Sequence, residues 1–216
     1  PTATLCPVTF SDVHPSDYFY GPVEYLACHN VISGYSDGTF RPYTNTTRGQ
    51  VVKIVVAGFG LPIPTPPAGA FTFADVLPGT AFFPFVETAA ARDIVSGYGC
   101  GGPGEPCDPA NRPYFRPGLN VTRGQLAKIV ALAGVWPPGN PPVGTFADVE
   151  PGSVFYGYIE AAVCRSIISG YACGGPGEPC DAQHRPYYRQ GTPATRGQIA
   201  KIVYGALGAG GGCAVR

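Results

Sequence analysis

The sequence predicts a mainly α fold of three helix–loop–helix units in tandem, and three recurring landmarks carry that prediction. Phe-Ser-Asp-Val stands at Phe10 to Val13, and Phe-Ala-Asp-Val at Phe73 to Val76 and Phe146 to Val149. Ser-Gly-Tyr follows at Ser33 to Tyr35, Ser96 to Tyr98 and Ser169 to Tyr171, and Thr-Arg-Gly-Gln at Thr47 to Gln50, Thr122 to Gln125 and Thr195 to Gln198. The same order met three times is one structural unit repeated. It divides the chain into a lead-in (1–9), repeats at 10–60, 73–134 and 146–208, Pro-rich linkers at 61–72 and 135–145, and a tail at 209–216.

Within each unit the first helix follows the Phe-x-Asp-Val landmark. Asp12 and Ser16 are placed to cap the turn before it, and Val23, Leu26, Ala27 and Val31 then recur at helical spacing as one apolar face. Val86, Ala89, Ala90 and Ile94 repeat that face, as do Ile159, Ala162, Val163 and Ile167. Tyr20, Phe83 and Tyr156 align and read as core. Glu24, Glu87 and Glu160 share one position, read as solvated or helix-pairing carboxylates, with ligand or Arg partner as the alternative. Gly34, Gly97 and Gly170 are expected to stop the first helix in a left-handed conformation.

The loops come next. Asp37-Gly38 signals a turn in unit one, whereas units two and three carry a twelve-residue insertion that places Gly-Gly-Pro-Gly-Glu-Pro between Cys100 and Cys107 and between Cys173 and Cys180. Each of these cysteine pairs reads as a local disulfide, since no CxxC or third ligand accompanies it. Thr47, Thr122 and Thr195 are then N-caps of a second helix, closed into capping boxes by Gln50, Gln125 and Gln198. Lys53, Lys128 and Lys201 recur on that helix as solvent-facing positions. The linkers, with Leu61 to Pro67 and Trp136 to Pro142, are expected to be extended.

Composition narrows the function. Fourteen basic and fourteen acidic residues give no net charge and no cationic cluster, which excludes a nucleic-acid footprint. No apolar run is long enough to span a membrane. Eight cysteines in disulfide-like settings place the chain outside the reducing cytosol, and the absence of Met fits a mature form whose signal peptide has been removed. Cys6, Cys28, Cys164 and Cys213 allow three connectivities; Cys6–Cys28 with Cys164–Cys213 is favoured, and a bond between chains is the alternative. No metal site, cofactor or catalytic constellation is expected, because His14, His29 and His184 stand isolated and the recurring acids make no dyad. The sequons at Asn45 and Asn120 share their Thr47 and Thr122 with the predicted caps.

In their fixed order, Phe-x-Asp-Val, Gly-Tyr-Ser-Asp-Gly-Thr-Phe-Arg-Pro (Gly34 to Pro42) and Thr-Arg-Gly-Gln resemble the repeat of the S-layer homology family over nearly the whole chain. Gly49, Gly124 and Gly197 stand where that family usually has Ala, and Gln50, Gln125 and Gln198 where Glu is commoner. The resemblance implies closure of the units about a pseudo-threefold axis, expected here with the first helices meeting in the middle; periodicity alone also permits an open stack. It further implies grooves between repeats that bind acidic secondary cell-wall polysaccharide, with Arg48, Arg123 and Arg196, Gly34, Gly97 and Gly170, and Gln50, Gln125 and Gln198 as candidate contacts. Each Arg sits where the open N–H groups of a helix start favour an anion, while pairing with Asp12, Asp75 or Asp148 is the structural alternative. Because the chain is all repeats, and Tyr43, Tyr114, Tyr187 and Tyr188 look exposed, the leading expectation is a secreted, non-enzymatic surface protein. It would associate with copies of itself into a lattice or filament; a monomeric glycan-binding anchor is the alternative.

Overall fold

The computed structural model describes residues 8–64 and 69–209. It contains six helices: α1 (Tyr20–Cys28), α2 (Arg48–Gly58), α3 (Phe83–Ala90), α4 (Arg123–Ala133), α5 (Tyr156–Cys164) and α6 (Arg196–Leu207). Among the described residues there is no sheet, only isolated antiparallel bridges. The α class is as expected, but the first helices are short and end before Val31, Ile94 and Ile167, which the apolar spacing places on them. Linker residues 65–68 and nearly all of the lead-in and tail lie outside the described residues.

The centre of the molecule is not where the sequence places it. The second helices α2, α4 and α6 pack on one another, and each first helix packs outside them on the second helix of the preceding unit: α3 on α2, α5 on α4, and α1 on α6. The cause is legible in burial. In α4, Leu126, Ala127, Ile129, Val130, Ala131 and Ala133 are all buried, as are Val51, Val52, Val55 and Val56 in α2, so these helices are apolar on nearly every side. In α1 the buried positions are Val23, Leu26 and Ala27, a single stripe suited to an outer layer. Packing α1 against α6 joins the first unit to the last and closes the ring.

On the axis the chain closes a second, smaller ring. The Thr46 amide donates to the Ala194 carbonyl (3.1 Å), the Ala194 amide to Val121 (2.9 Å) and the Val121 amide to Thr46 (2.9 Å), with all three residues buried. Each unit thus completes the backbone hydrogen bonds of another, as buried amides require.

The three Thr-Arg-Gly-Gln glycines have a packing reason. A Cβ on Gly49, Gly124 or Gly197 would stand 2.6 to 2.7 Å from the ring of Phe82, Phe155 or Phe19, the residue just before the next first helix in the ring. These first helices carry no side-chain cap, so Asp12 and Ser16 do not cap α1 as expected. Asp12 instead accepts from the amides of Phe40 and Arg41, Asp75 from Phe115 and Arg116, and Asp148 from Tyr188 and Arg189, tying each loop to the start of its own unit.

Gly34, Gly97 and Gly170 are likewise not left-handed helix stops. The left-handed residues after the first helices are Asn30, Asp93 and Ser166 (φ 56, 55 and 58°). The Ser-Gly-Tyr glycines serve close approach: a Cβ there would lie within 2.3 to 2.8 Å of the Phe10, Phe73 or Phe146 ring.

Candidate functional site

The site begins with the Thr-Arg-Gly-Gln start of each second helix. Thr47, Thr122 and Thr195 are extended and cap the helix, their hydroxyls accepting from the amides of Gln50, Gln125 and Gln198 while each Gln side chain accepts from the Thr amide. The remaining donors at these helix starts are also engaged. Arg48 and Gly49 donate their amides to the carbonyls of Leu119 and Pro117, Arg123 and Gly124 to Thr192 and Gln190, and Arg196 and Gly197 to Thr44 and Pro42. The expected anion grip by open helix N–H groups is therefore overturned, because the neighbouring unit's loop occupies them.

The guanidinium groups cross to the same neighbour. Arg48 Nε donates to the Phe115 carbonyl (2.9 Å) and Nη2 to Ser96 (3.3 Å); Arg123 makes the same pair with Tyr188 (2.8 Å) and Ser169 (3.1 Å). Arg196 closes the cycle with Phe40 (2.7 Å) and Ser33 (2.9 Å). Arg48 and Arg123 are only 6% and 5% exposed. Burial lowers the pKa of Arg48 and Arg196 from the ordinary guanidinium value. Ion pairs among the described residues use Arg41, Arg112, Arg116, Arg185 and Arg189, so pairing of Arg48, Arg123 or Arg196 with the landmark aspartates is not what orders them.

Beside each guanidinium lies the tyrosine of the next Ser-Gly-Tyr. Tyr98 has Arg116 at 4.1 Å on its ring and Arg48 at 5.2 Å; Tyr171 has Arg189 at 3.9 Å and Arg123 at 5.2 Å. Gln125 and Gln198 donate side-chain N–H groups to the hydroxyls of these tyrosines, both at 3.0 Å. The capping glutamines thus serve the helix with one end and hold the groove with the other.

Two grooves result. One, about 220 Å³, is lined by Arg48, Gly97, Tyr98, Gln125, Lys128 and Val154 among others; the second, about 230 Å³, by Arg123, Gly170, Tyr171, Gln198, Lys201 and Tyr18. The candidate Arg, Gly and Gln residues are brought together here, each Arg from one unit meeting the Gly and Gln of the next. Arg196 reaches Ser33, next to Gly34, in the third seam. Neither groove is lined by an acid, and Nη1 of Arg48 and of Arg123 makes no hydrogen bond among the described residues. Sequence reasoning missed the Ser-Gly-Tyr tyrosines and the lysines as groove walls, although both recur in every unit. Lys53 is exposed as expected, whereas Lys128 and Lys201 are half-buried; the three lie 5.5 to 5.6 Å from the Phe85, Tyr158 and Tyr18 rings.

Other candidates resolve differently. Glu87 accepts from the Thr72 amide (2.9 Å) and hydroxyl (2.7 Å), and Glu160 from Thr145 (2.8 and 2.7 Å), so these two carboxylates pin the entry to units two and three rather than being solvated or pairing helices. Tyr188 is fully buried, with burial raising the pKa of its hydroxyl, and Tyr114 and Tyr187 are half-buried with hydroxyls bound to Pro106 and Pro179; only Tyr43 of the four loop tyrosines is open, at 73%.

Disulfides join Cys100 to Cys107 and Cys173 to Cys180. Cys28 and Cys164 are also disulfide-bonded, while Cys6 and Cys213, their expected partners, lie outside the described residues. Cys173, Cys180 and His184 cluster within 4.8 Å, but the disulfide leaves no thiolate to hold a metal.

Residues 9–52 and 72–127 match the S-layer homology domain model. No curated protein matches the chain. The matched segments cover the first two units, and the third repeats their landmarks, capping boxes and Arg clamp. On these grounds the first two units are S-layer homology domains, repeats of a non-catalytic family of the bacterial cell surface, and the third unit is built on the same pattern.

Proposed function

We propose that the chain is a cell-wall anchor module that grips an acidic polysaccharide in the grooves between its repeats. The observation that carries this reading is the pairing in one groove of a buried guanidinium and a lysine with no acidic lining residue: Arg48 with Lys128, and Arg123 with Lys201. A carboxylate arriving there meets two cations, one of them the free edge of a guanidinium already oriented by backbone carbonyls, so little ordering remains to oppose binding. The tyrosine and glutamine beside them offer hydroxyl and amide partners to a sugar ring.

Self-association into a lattice or filament draws less support, since three of the four loop rings it invoked are wholly or partly covered. Sedimentation of the purified chain with purified wall glycan tests the proposal. Binding should fall when Lys128 and Lys201 are both changed to Ala and when salt is raised. Binding that is unaltered by both changes removes it, and electron microscopy of the same preparation reports any regular polymer.

A further inference from the structure

We infer that the grooves are not equivalent, and that the groove of Arg123 and Lys201 is the principal saccharide subsite because Tyr18 gives it an aromatic wall; this rests on the anionic-glycan reading above. The units superimpose position by position at this wall: the residue preceding Phe19, Phe82 and Phe155 is Tyr18, Ala81 and Val154. In the groove of Arg48 the wall is therefore Val154 with the partly buried Phe155 beside it, and in the other it is the exposed ring of Tyr18.

Tyr18 is built as a platform. Its ring is 55% exposed, held edge-on by Phe19 at 4.9 Å, with Lys201 Nζ at 5.5 Å. Across the groove stand Arg123 and Tyr171, and Gln198 fixes the Tyr171 hydroxyl. An acidic pyranose has a carboxylate for the two cations, hydroxyls for Gln198 and Tyr171, and a face of C–H groups for an aromatic ring. At about 230 Å³ the cavity lies below the roughly 300–1,000 Å³ of sites for larger ligands, which suits one sugar residue of a chain. Val154 offers apolar area but no ring face, and Phe155 beside it is partly buried, so in the Arg48 groove the same sugar meets the cations, Tyr98 and Gln125 without an exposed aromatic platform.

The test uses the full chain with two probes, methyl glucuronide and acetate, followed by titration in NMR. Wild type should bind the glucuronide more tightly than acetate. Tyr18→Ala should weaken the glucuronide about three- to tenfold and leave acetate unmoved, and Val154→Tyr should strengthen glucuronide binding by a similar factor. Both sites are exposed, so both variants should fold. Glucuronide binding that depends on Lys201 but is unaffected by Tyr18→Ala overturns the inference while sparing the groove reading. Failure of both probes to bind, in wild type as in Lys201→Ala, overturns the groove reading itself.

Discussion

Arg48, Arg123 and Arg196 are at once fasteners and candidate ligands, and the two roles have different signatures. Removing Arg123 by change to Ala leaves the carbonyls of Tyr188 and Ser169 without their charged donor inside a seam. A loss of roughly 1.5–3 kcal/mol per hydrogen bond is expected, read as a lower denaturant midpoint. A stability equal to wild type would show that the seam does not need the clamp. Gly197→Ala presses a methyl onto the Phe19 ring, where the Cβ would sit 2.7 Å away, and should cost about 1–3 kcal/mol by overpacking. Gly197→Ala paired with Phe19→Leu should recover part of that loss. At this scale the sequence revealed the capping boxes and the groove arginines, because each is a local pattern of residue types. It did not reveal why the glycines recur, because the ring that excludes a Cβ belongs to another unit.

The loops are the element on which the units differ. In unit one Asp37 pairs with Arg41 at 2.8 Å; in units two and three Glu105 and Glu178, carried in by the disulfide-closed insertion, take Arg116 and Arg189 bidentately. The hydrogen bond from each Arg lowers the pKa of Glu105 and Glu178, and Asp108 and Asp181 are lowered by bonds from Arg112 and Arg185. A carboxylate depressed in the folded state adds stability that is complete above its unfolded pKa, near 4, and is lost as pH falls through the folded value. The melting temperature should therefore hold between about pH 7 and 5 and fall below about pH 4. Changing both Glu105 and Glu178 to Gln should flatten part of that acid limb; an identical limb would assign it elsewhere. The local cysteine pairs were legible from spacing, whereas the partnership of Glu105 with Arg116 was not, since nothing in the sequence aligns an inserted acid with a loop arginine.

For the whole molecule, three units form one cooperative body. Their central helices share a core, and α1 closes on α6. Heating should give a single transition by both far-ultraviolet and aromatic signals, and a chain cut after unit two should fail to fold; two separated transitions would sink this description. The repeat count was readable, as was closure through resemblance, but the packing of each first helix on another unit's second helix was not, and the choice of central helix was inverted. Both helices of a unit carry apolar residues at helical spacing, and only the near-total apolarity of α4, interrupted by Lys128, distinguishes a core helix from an outer one.

The small ring of amides at Thr46, Val121 and Ala194 sets a timetable for the nascent chain. Its last member lies near the far end, and the Arg196 clamp joins groups 156 positions apart. A polypeptide being exported cannot lock its first unit until the third has emerged, so it travels as an unfinished circle, slow to mature and open to proteases. Completion of the third unit is the event that turns the exported thread into a durable surface part.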